Sequence, residues 1–424
     1  MEFQVGTVKN LTIHVLPTNR FKTYAMTLFA GTPLSEETVT STALIPYVLR
    51  RGTSQFPETI QLREQLDIMY GAGFGFNIVK RGNTQFIQLR MDVINDRFVD
   101  SEHSLLEGAL RYMGDVLTNP LLEQGSFRTA YVEAEKGTLK KQLESIINDK
   151  IQYAAERCVQ EMCEQEPYRL NASGRLEDIP QITAEALYKR YTQWMSEAQF
   201  DLYVVGDTTL EQVTELVSQH FKLPDQAEPI AYSQADAHHP VSSVKTVVDR
   251  LDVNQGKLNL GLRMNVSYAD DDYVAALVYN GILGSYPHSK LFVNVREKES
   301  LAYYCSSRYD AHKGILTIQS GIEFSNYEKA LQIIEQQLEE MKKGTISDTE
   351  LEQTKAMLTN AMREMLDSAN DIAGFDFNKQ FSKVDRSIPA MIEQISQITK
   401  QDVQRIAAAV ELDTIYFLRD RQEV

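Results

Sequence analysis

A repeated octet constrains this chain more than any other feature. Residues 63–70 read REQLDIMY and residues 296–303 read REKESLAY, 233 positions further on. Glycine-flanked hairpin patterns and pairs of long helical stretches follow both copies in the same order. A second pass through one pattern implies two copies of one structural unit. At 424 residues the chain has room for two such units of roughly 200 residues, each large enough for its own core.

Periodicity fills in the unit. Alternating residues at 11–16 and 23–30 read as strands around the Pro17-Thr18-Asn19 turn. Residues 41–51 form an apolar run of helical length that ends at Gly52, and 57–70 places Leu62, Leu66 and Met69 at core spacing. Strands at 74–80 and 84–93 flank the Arg81-Gly82-Asn83 turn. Residues 101–117 are amphipathic, and 126–162 reads as one long charged helix. A helix at 184–194, a strand at 199–205 and a helix at 209–221 complete the first copy. Residues 222–244 hold Pro224, Pro229 and Pro240 and no sustained period, which reads as a linker. The pattern then restarts, with strands at 245–253 and 259–266, a helix at 273–282, and helices at 325–342 and 347–368. The last opens on a Ser347/Glu350 capping box. A helix at 402–410 and a strand at 413–418 close the chain. The expectation is an α+β protein of two repeated domains, each a largely antiparallel sheet covered by helices, at 1–222 and 245–424, with a linker at 223–244.

Composition narrows the function. The formal charge of −16 argues against nucleic acid, which requires a basic footprint. No stretch of the sequence is long and apolar enough for a transmembrane helix. The N-terminus lacks the basic-then-apolar pattern of a secretory signal. Three cysteines, Cys158, Cys163 and Cys305, are too few for a disulfide framework and fit a reducing cytoplasm. Cys158 and Cys163 read as separate packing thiols. No P-loop or G-x-S-x-G occurs, and the GAGFGF glycines follow a helix and precede a strand, the reverse of a dinucleotide-binding order.

The chemistry-bearing stretch is SKLFVNVREKESLAYY at 289–304. A helix followed by a strand can bring Arg296 and Tyr303 toward one spot. Five guanidinium donors and one hydroxyl suit a peptide carbonyl or a developing oxyanion. Leu291, Phe292, Arg296, Glu297, Leu301, Ala302 and Tyr303 match the L-F-x-x-x-R-E-x-x-x-L-A-Y signature of the pitrilysin/insulinase family of zinc peptidases, which the chain resembles over nearly its whole length. The resemblance implies the family's clamshell half, and it implies that Arg296 and Tyr303 bind substrate.

An active member carries H-x-x-E-H on the first helix after the opening strands. Two His one turn apart bind zinc and the Glu activates water. Here the seven His, at 14, 103, 220, 238, 239, 288 and 312, include no pair three or four residues apart. Aligning STALIPYVLRRGT on Gly52-Thr53 places Ala43 and Tyr47 at the two His positions and Pro46 at the Glu. Aligning on Thr42-Ala43 gives Leu44, Val48 and Tyr47 instead. In VEAEKGTLKKQLESI, Glu135 matches the upstream Glu of the family's E-x6-E array, and Gln142 falls at the ligand Glu. Neither register supplies a zinc site.

The resemblance therefore implies a catalytically inactive subunit of a two-subunit peptidase, like the zinc-free member of the mitochondrial and bacterial processing pairs. The partner would be a homologous subunit carrying H-x-x-E-H and zinc, and the ligand a peptide. No cofactor is expected in this chain, and isolated copies could pair with each other. A scaffold without a role in proteolysis and a peptidase with a relocated metal are the alternatives. The family also adds peptides to a strand edge, here 74–80, where Phe76-Asn77 replaces the family's Asn-Ala.

Overall fold

The computed structural model describes residues 2–225 and 227–421. Packing divides the chain into two units. The first comprises Met1–Glu144, Leu170–Ser233 and Ser368–Asn378, and the second Ser145–Arg169, Gln234–Asp367 and Lys379–Val424.

The first unit is built on six strands: β1 (Gln4–Val8), β2 (Leu11–Pro17), β3 (Thr23–Pro33), β4 (Gly73–Arg81), β5 (Thr84–Ile94) and β6 (Gln199–Gly206). Their order is β1-β2-β6-β3-β5-β4, with β2 and β6 parallel and the other pairs antiparallel. β3 is buried on both faces along nearly its whole length, which its run YAMTLFAG requires. β4 ends the sheet, and its exposure alternates residue by residue through 78, as an edge strand's should.

The second unit holds β7 (Lys245–Arg250), β8 (Gly256–Arg263), β9 (Ala302–Asp310), β10 (Ile315–Ile322) and β11 (Glu411–Arg419). Their order is β9-β10-β8-β11-β7, and β11 and β7 are the parallel pair. Read from its parallel pair, this path is the path of the first sheet from β2 to β4. The repeated octet thus marks a repeated topology, and the α+β expectation of two helix-covered, largely antiparallel sheets holds. The expected capping box is present, with Ser347 accepting from Glu350 N–H and Glu350 reaching back to Ser347 N–H.

The unit boundaries differ from those expected, in three places. The helix expected over 126–162 is two, Thr129–Asn148 and Lys150–Met162. Asp149 leaves helical geometry and its carboxylate caps Ile151 and Gln152 N–H at 3.0 and 3.1 Å. The second helix buries Ala154, Cys158 and Met162, one turn apart each, in the second unit. Cys158 packs with Tyr416 and Leu418, and Cys163 with Tyr168 and Ile315, so the two thiols occupy separate clusters.

Conversely, helix Ala369–Ser382, for which the sequence reading has no element, sends Ile372, Ala373 and Phe377 into the first unit. The Phe377 ring lies flat on Phe29 at 3.8 Å, with Phe86 edge-on at 5.3 Å and the Arg81 guanidinium 4.7 Å above it. Tyr203 donates to Asp376 and Thr27 to Asn370 from the sheet. The expected linker is also partly structural. Ser233 bonds Thr84 and Asn83, and Tyr232 donates to Asp201, so the chain up to Ser233 belongs to the first unit. Lack of a hydrophobic period there reflects irregular backbone, not lack of packing.

Candidate functional site

Of the positions expected to have lost the metal, Gln142 lies on helix Thr129–Asn148, and Ala43, Pro46 and Tyr47 lie on helix Val39–Leu49, which follows β3. Every residue of it but Ser41 is buried, so its side chains are selected by packing. Pro46 lies inside the helix, where it removes one backbone N–H. The helix persists because both flanks are enclosed. Ala43 is fully buried and offers no donor atom.

The structure brings Tyr47 and Gln142 together across 95 positions of sequence: the Tyr47 hydroxyl donates to Gln142 Oε1. Burial raises the Tyr47 phenol above its ordinary 10.0, with Arg50 opposing, so the hydroxyl keeps its proton. The ring packs edge-on against Phe76 of β4 at 4.7 Å. Glu135 is buried two helical turns before Gln142, and its carboxylate faces Arg51 at 3.4 Å and Arg50 at 3.7 Å. The Arg50 guanidinium covers the rings of Tyr47 and Phe76 at 5.5 and 5.2 Å.

These residues do not fit zinc. A protonated phenol, an amide oxygen and a methyl group are not its ligands, and the one buried carboxylate is committed to two guanidiniums. In the alternative register Leu44 and Val48 are buried and apolar. Among the described residues no cluster of three or more His, Cys, Asp or Glu is arranged to hold a metal ion.

Arg296 and Tyr303 lie in the second unit. The helix expected to carry Arg296 widens into a π-helical segment at Phe292–Lys298. This places Arg296 over the Phe292 ring at 4.5 Å, with Glu297 3.7 Å away and 42% of the side chain exposed. Ser300 then adopts φ +52° and Leu301 N–H closes onto Val295 O at 3.1 Å, turning the chain into β9. β9 is one of the two edge strands of its sheet and carries an irregular register between Ala302 and Tyr304. Tyr303 sits at that irregularity, 61% exposed, and its hydroxyl donates to Glu323. That carboxylate raises the Tyr303 phenol and keeps it protonated. The two side chains are engaged separately, and neither is needed to fill a core. Sequence reasoning missed Glu323, which follows β10, and the Arg50-Arg51 pair. The doublet at the end of an apolar helix was the available signal.

A repeated sheet-and-helix unit, with an exposed Arg and Tyr after the second octet and donors unsuited to zinc after the first set of strands, defines a peptidase-like fold of the non-catalytic kind. Residues 181–358 match the family described as Peptidase M16 inactive domain. The chain is 38% identical to a "Probable inactive metalloprotease YmfF" of Bacillus subtilis, over 96% of each chain. A crystal structure of a conserved protein from Enterococcus faecalis superposes with a TM-score of 0.94 at 31% identity, covering 100% of both chains. A peptidase M16 inactive domain from Pseudomonas fluorescens shares the fold at TM-score 0.80 and 17% identity, over 100% of this chain and 99% of that one. The chain belongs to the M16 peptidase family, the pitrilysin/insulinase family of the sequence resemblance, as a non-catalytic homologue of its zinc metallopeptidases.

Proposed function

We propose that this chain is the substrate-binding subunit of a two-subunit zinc peptidase. Its partner is a homologous chain with H-x-x-E-H and a bound zinc, and the substrate is a peptide. Arg296 and Tyr303 contribute guanidinium and hydroxyl donors to the peptide carbonyl held at the partner's metal. The observation that carries this reading is a contrast in placement. Arg296 and Tyr303 are 42% and 61% exposed and hold no core together, whereas the former metal positions are rebuilt as packing. A surface Arg and Tyr in the family's own motif need a reason other than folding.

In this reading the chain itself carries no zinc, and the work is done in the cytoplasm. The free, buried cysteines suit a reducing compartment. No described helix is long and apolar enough to cross a membrane.

The test is a peptidase assay on the chain alone, on the H-x-x-E-H homologue encoded in the same genome, and on the two together, with metal analysis of each. Activity and stoichiometric zinc belong to the homologue, and the mixture exceeds it several-fold. Arg296→Ala removes that gain. Activity of the chain alone that is lost on chelation overturns the reading. A gain that survives Arg296→Ala makes the chain a scaffold.

A further inference from the structure

The second unit contains a cleft of about 270 Å³, bounded by helices Tyr273–Asn280 and Tyr327–Lys342 and by strands β8 and β11. Its apolar wall is Leu262, Leu338, Val410 and Leu412. A register shift builds that wall. Gly261 lies opposite Thr414 and Leu262 opposite Leu412, so Asp413 has no residue across from it. Asp413 instead accepts from Arg263 Nε at 2.8 Å. The bulge thus sets two leucines side by side and commits its own carboxylate elsewhere. A cavity of about 150 Å³ takes a benzene ring, so this cleft suits a molecule of about ten to twelve non-hydrogen atoms.

Two polar features of the cleft are unengaged. Tyr279 lines it and is 1% exposed, and its hydroxyl has no hydrogen-bond partner among the described residues. Burial alone raises this phenol above its ordinary 10.0, so the hydroxyl keeps its proton and can donate it. Other buried tyrosines are committed: Tyr168, Tyr203 and Tyr416 each donate to an aspartate. A buried hydroxyl without a partner is unfavourable, and a ligand that meets it removes the penalty. At the mouth, Glu335 and Glu339 are exposed and stand one turn apart on one face of their helix. Lys342 reaches Glu339 at 3.3 Å, whereas Glu335 has no ion-pair partner among the described residues. The mouth therefore carries a surplus negative charge.

We propose that this cleft binds a small amine, with its apolar body against Leu262, Leu338, Val410 and Leu412, its ammonium at Glu335 and Glu339, and a polar group at its far end on the Tyr279 hydroxyl. An apolar wall with a donor inside and negative charge at the rim selects a molecule with three matching parts. It is apolar in the middle, cationic at one end and hydrogen-bonding at the other. An arylalkylamine with a ring hydroxyl has this pattern at the right size, and the rim repels an anion of the same size. The site belongs to the second unit alone and does not rest on the paired-peptidase reading.

The probe is tyramine, titrated into the full chain by ligand-observed NMR. Phenethylamine, which lacks the hydroxyl, and 4-ethylphenol, which lacks the charge, are titrated beside it. Tyramine binds with a Kd of about 0.1–1 mM, as about ten non-hydrogen atoms at modest efficiency imply. The other two bind about threefold to tenfold more weakly. Tyr279→Phe keeps the ring, brings tyramine down to the affinity of phenethylamine and leaves phenethylamine unchanged. Its melting temperature does not fall, because no protein group loses a bond. Glu335→Gln, on the surface, weakens both amines about twofold to fivefold and leaves 4-ethylphenol unchanged. No saturable binding of tyramine in the millimolar range, equal affinities for the three compounds, or a tyramine affinity unchanged in either variant overturns the proposal. A Tyr279→Phe variant that melts below wild type places the hydroxyl in a bond within the protein and overturns it as well. None of these results bears on the zinc partner, whose test reads activity.

Discussion

The division of the chain is testable at Phe377. This residue belongs to the second half of the sequence, yet its ring is fully buried in the first unit. It stacks on Phe29 at 3.8 Å and contacts Phe86, Tyr203 and Tyr232 edge-on, with the Arg81 guanidinium 4.7 Å from its centroid and 5.3 Å from that of Phe29. Phe377→Ala removes six ring carbons from a site walled by rigid aromatics, which collapse poorly around a cavity. The cost is about 3–5 kcal/mol. The chain contains one tryptophan, Trp194, fully buried on helix Ala184–Glu197 of the first unit. Its fluorescence in a urea titration therefore reports that unit specifically. For a slope of about 2–3 kcal/mol per M, the midpoint should fall by roughly 1.5 M. A fall of less than about 0.4 M, corresponding to about 1 kcal/mol, would show that the first unit does not depend on this helix, and the assignment of Ser368–Asn378 to it would be wrong.

Other outcomes follow from the same reasoning. Glu166 faces Lys313 and Arg263 at 2.8 Å from the latter, and both cations are 1% exposed. Burial raises the Glu166 carboxyl, but Lys313 and Arg263 outweigh it and hold it below its ordinary 4.5. A lowered folded value means that this stabilisation is fully present above 4.5 and is lost as pH falls through the folded value. Glu166→Gln should cost about 3–5 kcal/mol at neutral pH by leaving the buried Lys313 without a carboxylate while Arg263 keeps Asp413 at 2.8 Å, and the gap to wild type should narrow in urea titrations run progressively below pH 4.5. Arg296→Ala and Tyr303→Phe, both on the surface, should each change stability by no more than about 0.5 kcal/mol while abolishing the gain in the mixed peptidase assay. Tyr47→Phe removes one donor from an exposed amide and should cost about 0.5–1.5 kcal/mol by thermal unfolding, without changing metal content.

The repeat was legible because it rests on features a sequence cannot hide: a charged turn after a helix, a strand that begins at once, and alternation in the strands that follow. Strand positions came through for the same reason. The exchange of segments did not. The run 126–162 keeps a helical period across Asp149, and only the cap geometry shows the chain stopping and restarting there. Residues 369–382 read ANDIAGFDFNKQFS, with glycine and two aspartates among the apolar positions, so no clean stripe appears. Their burial is decided by a pocket of rings from distant strands. At the former metal site, the absence of ligands was plain from residue identity, whereas the stacking of Arg50 on Tyr47 and Phe76 depends on β4 lying beside the helix, which no local pattern states.

The two octets also explain why one Arg-and-Tyr pair can serve a substrate and the other cannot. In the first copy Tyr70 ends its helix with φ +58°, and its hydroxyl donates to Asp100 O at 2.6 Å. That hydroxyl is spent on a backbone carbonyl in its own unit. In the second copy the chain passes its left-handed residue at Ser300, three positions before the tyrosine, so Tyr303 stands on β9 with a carboxylate as its partner. A side-chain carboxylate can yield to a competing acceptor by rotating, and a backbone carbonyl cannot. Tyr70→Phe should therefore cost up to about 1 kcal/mol of stability and leave the gain in the mixed assay untouched, the reverse of Tyr303→Phe. Loss of that gain in Tyr70→Phe with an unchanged melting temperature would mean that the two tyrosines share one role, and that the difference in local backbone does not separate them.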